Sequence, residues 1–198
     1  MAEYFKAIAD KGGAYVAGQI LGVIVILWSI LVYTRKDSDK ILIFKFVSDV
    51  LSIFQFLLCG NYTGSGLNVV MCMREVVFYN RKRHKWASGK FWLYIFIVLI
   101  AAMPFVTSKE EVLSAMWFAN IFPALGSGLA VIGLYDKNAM KTRIFSLIGV
   151  ALWLVYVIMV ENYISILSNA ISLIAIIIGL IGDIVRRKET NANGETEK

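Results

Sequence analysis

Histidine occurs once in this chain, at His84, and cysteine twice, at Cys59 and Cys72. A single imidazole between Arg83 and Lys85 builds neither a histidine-based metal site nor a catalytic triad, and it reads as a solvated loop residue. The two thiols fall inside apolar segments at different depths, which points to buried free cysteines rather than a disulfide. Metal-ligand spacings, a phosphate-binding glycine loop and a nucleophile motif are all missing. An enzyme is therefore not expected, nor a cofactor. Proline is as scarce, with Pro104 and Pro123 the only two among 198 residues.

What the chain has in quantity is apolar surface. Hydrophobic residues make up 59% of the sequence and the mean hydropathy is +0.70, more than a water-soluble domain of this size can hide. A helix needs about 20 apolar residues to cross a bilayer. Seven segments are read as spans: Ala14–Thr34, Ile41–Cys59, Tyr62–Tyr79, Phe91–Val106, Leu113–Leu134, Ile144–Val160 and Tyr163–Ile184. Their runs are continuous rather than alternating, which excludes a transmembrane β-barrel.

Charge then sets a direction. With seven spans the termini lie on opposite sides. The side of the N-terminus collects Lys6, Lys11 and Lys109, whereas fifteen Lys and Arg lie in the other loops and the C-terminal segment. By the excess of positive charge in cytoplasmic loops, the N-terminus is expected outside and the C-terminus in the cytoplasm. The net charge of +6 thus reflects topology, and nucleic acid is not expected as a partner. The lipid bilayer is; a homo-oligomer is left open.

A repeat organises the spans. At an offset of 101, Lys36, Lys40, Ile43, Phe44, Leu51, Asn61, Tyr62 and Asn68 fall on Lys137, Lys141, Ile144, Phe145, Leu152, Asn162, Tyr163 and Asn169. A unit of three spans repeated directly would be inverted, and one inserted crossing, Phe91–Val106, restores its direction. The expected fold is thus all-α, seven transmembrane helices in a parallel 3+1+3 repeat. Its parts are residues 1–13 (a tail or interfacial helix), 14–80 (first triplet), 91–106 (linker helix), 113–185 (second triplet) and 186–198 (a disordered cytoplasmic tail).

Polar residues within spans mark the candidate sites. By helical rise, Asp49 lies about 13 Å and Arg74 about 10 Å from the basic loops, at similar depth on consecutive helices. An Asp49–Arg74 ion pair is expected, with Lys45 one turn from Asp49. It serves either to staple the first bundle or to handle substrate and protons. Asn68 and Asn169 each lie about 9 Å from the tight turns, and Trp153 is at nearly the same depth. Either these face one cavity and bind a small polar metabolite, or each Asn bonds the backbone of a neighbouring helix. Gln55 and its repeat partner Tyr156 lie nearer the outer mouth. Pro123, beside Gly126 and Gly128, is a candidate hinge, although membrane helices also carry such residues without function.

The run Gly18-Gln19-Ile20-Leu21-Gly22, with Tyr33–Lys36, Phe56–Gly64, Leu67-Asn68 and Arg74, resembles the YgjV-type bacterial inner-membrane proteins over most of residues 14–187. That family is distantly similar to the PQ-loop, SWEET and KDEL-receptor (MtN3-like) group. The resemblance implies a multi-pass protein of the bacterial inner membrane. In SWEET transporters an Asn on the third helix and one on the seventh line the sugar site with Trp nearby, which implies that role for Asn68, Asn169 and Trp153. SWEETs carry a proline in each of four gating helices. Here only Pro123 fits, Gly22 stands at its repeat partner, and no Pro-Gln dipeptide occurs. A facilitative, sugar-like transporter is the function implied; a non-transporting receptor or accessory protein on the same fold is the alternative.

Overall fold

The computed structural model describes residues 10–33, 38–81, 83–109, 111–112, 114–135 and 139–196. Seven long helices follow one another: α1 (Gly13–Tyr33), α2 (Ser38–Leu58), α3 (Tyr62–Asn80), α4 (Phe91–Thr107), α5 (Ile121–Tyr135), α6 (Ala139–Met159) and α7 (Tyr163–Thr196). No strand occurs among the described residues. Most of the expected interfacial segment, residues 1–13, lies outside them.

Two boundaries differ from expectation. The segment Leu113–Leu134 is divided at Asn120, leaving a five-residue helix, Ala115–Ala119, ahead of α5. Ser114 caps that short helix, its Oγ accepting from Trp117 N at 3.1 Å. Pro123 then sits in the first turn of α5, where its missing N–H interrupts no hydrogen bond of that helix. At the other boundary, α7 runs on through Thr196 instead of stopping before the polar segment. Arg186, Arg187, Lys188 and Glu189 are good helix formers, and extending an existing helix avoids the nucleation cost.

Each helix packs on its neighbour in sequence, α7 returns to α1, and α3 meets α5 across the ring. Glycine permits two of the close approaches. A Cβ on Gly126 of α5 would lie 2.6 Å from the carbonyl oxygen of Gly149 on α6, and one on Gly22 of α1 would lie 2.2 Å from Ile164 Cγ2 on α7. Both tight turns close alike. Asn61 N donates to Phe56 O and Asn162 N to Val157 O, each at 2.9 Å. The residue before each Asn is left-handed, Gly60 at φ +76° and Glu161 at +52°. We call this the turn end. The opposite end carries the basic links, where the Arg81 guanidinium stacks on Tyr135 and that of Arg83 on Tyr79.

The helices are apolar outside, and their interior mixes apolar clusters with many buried polar side chains. On α3, Tyr62, Val69, Met73 and Val76 form one exposed stripe, while Thr63, Ser65, Asn68, Arg74 and Glu75 are buried. On α7, Ile171, Ile174, Ile178 and Ile181 are exposed along one side. Ala115–Gly133 and Tyr163–Gly182 are long and apolar enough to cross a membrane, and three shorter helical stretches are apolar too. So much exposed aliphatic surface suits lipid rather than water.

Candidate functional site

Between the first three helices and the last three lies a seam of buried neutral polar groups at the turn end. Its hub is Asn162, wholly buried at the start of α7. Its Oδ1 accepts from Gln19 Nε2 at 3.3 Å and from Gln55 Nε2 at 3.2 Å. Gln55 also donates to Ser165 Oγ at 3.0 Å. Gln19 Oε1 accepts from the backbone N–H of Ile164 at 2.9 Å, capping one of the orphan donors of the α7 N-terminus. Three helices, α1, α2 and α7, thus meet through side-chain amides and a hydroxyl.

The seam has a counterpart with its partners exchanged. Tyr156 on α6, 101 residues beyond Gln55, accepts from the backbone N–H of Gly64 on α3 at 3.3 Å. Gly64 and Ser165 stand at the same spacing. Hence Gln55 reaches the first turn of α7, and Tyr156 reaches the first turn of α3. Phe56, Ala119, Tyr156 and Val157 form the apolar cluster between these contacts.

The asparagine pair does not converge on a described cavity. Asn68 Nδ2 donates to Gly64 O at 2.7 Å and Asn169 Nδ2 to Ser165 O at 2.8 Å, each one turn back on its own helix. The expected alternative, a bond to the backbone of a neighbouring helix, is not what these amide donors make: each bonds within its own helix. Trp153 donates from Nε1 to Ser127 Oγ at 3.1 Å, with its ring against Phe56 and Tyr156. Of the five residues expected to bind substrate, only Tyr156 lines the cavity of about 310 Å³ at the turn end. Pro123 is fully buried.

The expected Asp49–Arg74 ion pair is replaced by two local ones. Lys45 Nζ contacts Asp49 Oδ1 at 3.2 Å, and Arg74 Nη2 is paired with its sequence neighbour Glu75. No ion pair joins Asp49 to Arg74 among the described residues. The error lay in passing over Glu75, because adjacent helical residues ordinarily do not face each other. Here both side chains are long enough to fold together, each only 1% exposed. Arg74 Nε and Glu75 Oε2 have no partner among the described residues, so this buried pair is incompletely satisfied there. Together the four side chains carry no net charge. Cys59 and Cys72 are both free, and Cys59 Sγ accepts from Gln19 Nε2 at 3.3 Å.

Gln19, Asn162 and Ser165 were not singled out as site residues. Gln19 stands at the 101-residue offset from Asn120, just outside the aligned window, and polar pairing at that offset was the signal available. Ser165 pairs with a glycine and leaves no such trace.

The chain matches the Imp-YgjV family model, described as bacterial inner membrane protein, over residues 16–187. It therefore belongs to that family and is a multi-pass protein of the bacterial inner membrane. No curated protein and no solved structure matches it.

Proposed function

We propose that this inner-membrane protein is a facilitative transporter of a small, polar, sugar-like metabolite. It works by alternating access between two three-helix bundles, α1–α3 and α5–α7, arranged as a parallel repeat about α4. The observation that carries this reading is the exchanged contact: Gln55 with Ser165, and Tyr156 with the Gly64 N–H. Such a pattern is what a two-fold axis along the membrane normal would generate. It also joins the bundles by neutral hydrogen bonds, whose groups can trade partners with water or substrate at little net cost. A bundle needing only to be stable in lipid has no use for that many polar groups inside. With the basic links in the cytoplasm, the turn end faces outward and the seam closes the outer mouth. Substrate then reaches Asn68, Asn169 and Trp153 from the cytoplasmic side until the seam parts, with Pro123 as the bending point of α5.

The test is uptake of labelled neutral sugars by proteoliposomes. Saturable flux that falls at least tenfold in Asn68→Ala and Asn169→Ala supports the proposal. Ligand binding without flux would sink transport and leave the receptor reading.

A further inference from the structure

The two tight turns sit in unlike corners of the turn end. Beside Glu161–Asn162 the corner is filled. The Tyr15 hydroxyl donates to Glu161 O, and Gln19 caps the start of α7. The Lys11 ammonium pairs with the Glu161 carboxylate and lies 5.5 Å from the Tyr163 ring centroid. The two charges are balanced there, although Asn162 Nδ2, like Asn61 Nδ2 at the other turn, is buried with no partner among the described residues.

Beside Gly60–Asn61 the same positions are occupied by residues that leave the corner open. The counterparts of Tyr15 and Gln19, 101 residues on, are Met116 and Asn120. Met116 has no hydroxyl, and Asn120 turns its amide to Ser108 Oγ at 3.1 Å. Lys109 repeats the stacking of Lys11, its ammonium 3.9 Å from the Tyr62 ring centroid. Glu161, however, is matched by Gly60, so the carboxylate is missing. Lys109 has no ion-pair partner among the described residues. The cavity of about 310 Å³ opens at this place.

Three sets of donors surround it. Asn61 lines the cavity at 9% exposure, and its Nδ2 is buried with no partner among the described residues. Asn61 does not cap the N-terminus of α3 with its side chain; Tyr156 Oη takes the Gly64 N–H, which leaves the Tyr62 and Thr63 N–H groups and the positive end of the dipole facing this corner. Lys109 supplies a full positive charge at the rim. Glu161 also lines the cavity, but its carboxylate is engaged by Lys11.

We infer that this cavity is a binding site for the carboxylate of a small organic acid, held by Asn61, Lys109 and the start of α3. The bound carboxylate takes the place that the Glu161 side chain holds in the opposite corner. Binding here requires neither flux nor movement of the bundles, so the inference stands or falls apart from the transport proposal.

The experiment is thermal unfolding of the detergent-purified protein in acetate, lactate or succinate, against chloride at matched ionic strength. A saturable rise in Tm is expected with at least one carboxylate and not with chloride. Lys109→Gln, an exposed substitution that leaves the fold intact, should abolish the rise. Gly60→Glu should abolish it too by placing a carboxylate in the corner; Glu161 shows that the turn accepts a side chain at positive φ, and a Cβ at position 60 meets nothing within 4 Å. The inference is overturned if none of the three acids exceeds chloride, or if the rise survives in either folded variant. A chloride response equal to the others means ionic strength alone.

Discussion

The first three helices and the last three share letters at a spacing of 101, yet their interiors differ in kind. Lys45, Asp49, Arg74 and Glu75 in the first half are matched by Ser146, Val150, Ala175 and Ile176 in the second. One half therefore carries a buried ion pair, Arg74–Glu75, and a half-exposed one, Lys45–Asp49, where the other carries small and aliphatic side chains. The second half instead brings its helices closest, through Gly126 against Gly149, where the first has Val25 and Ser48. In one half the charges pair within single helices, α2 and α3, whereas in the other the backbones of two helices, α5 and α6, come together. An ion pair buried in lipid contributes little net stability compared with apolar packing, although removing one partner is severe.

The sharpest way to break the contrast is to give the first half the residues of the second. Arg74→Ala alone leaves the Glu75 carboxyl without its partner at 1% exposure, and should cost about 3–5 kcal/mol. Arg74→Ala with Glu75→Ile, which installs the pair found at 175 and 176, should recover to within about 1 kcal/mol of wild type. Unfolding in graded denaturing detergent measures both. A double variant no better than the single would show that the pair does not act as a unit.

The complementary change is Gly126→Val, which places the first half's residue in the second. Its Cβ would meet the Gly149 carbonyl oxygen at 2.6 Å, and backbone cannot swing aside as a side chain can. Separating α5 from α6 should cost about 1–3 kcal/mol. Stability equal to wild type would mean that the crossing is not close-packed there.

The two turn asparagines offer a finer comparison. Asn162→Leu removes the acceptor shared by Gln19 Nε2 and Gln55 Nε2, which leaves Gln19 only the weak acceptor Cys59 Sγ and Gln55 only Ser165, and should cost about 1–3 kcal/mol. Asn61→Leu removes an amide that already lacks a partner, and should cost about 0–1 kcal/mol. Equal losses would erase the difference between a filled corner and an open one.

Helix positions were legible because lipid imposes long apolar runs, and both tight turns were legible from Asn-Tyr at one spacing. The partners of the polar residues were not. Asn68 and Asn169 share a depth and a residue type, which suggested convergence, but an Asn within a helix can bond the carbonyl four residues back, and both do. Depth alone set Asp49 against Arg74, but height says nothing of azimuth, and Arg74 pairs with Glu75. The Gln19–Asn162–Gln55 seam depends on α7 returning to α1, a contact between the ends of the chain that no local pattern encodes.

The smallest expected effect concerns the ion pair at the filled corner. Lys11 donates to the Glu161 carboxylate and its charge holds the Glu161 pKa below the ordinary carboxylate value. A carboxyl whose folded pKa is depressed binds its proton more weakly than in the unfolded chain. Its contribution is therefore present in full above the ordinary pKa and is lost as pH falls from there through the depressed value. Both side chains face solvent, so the slope is shallow and salt should flatten it. Thermal unfolding between neutral pH and pH about 3 should show a steeper acid loss in wild type than in Glu161→Gln. In Gly60→Glu, which places a carboxylate by Lys109, the acid loss should be steeper still. Identical profiles for all three would mean that neither lysine feels a carboxylate at its turn, and the charge asymmetry between the two corners would then have no energetic consequence.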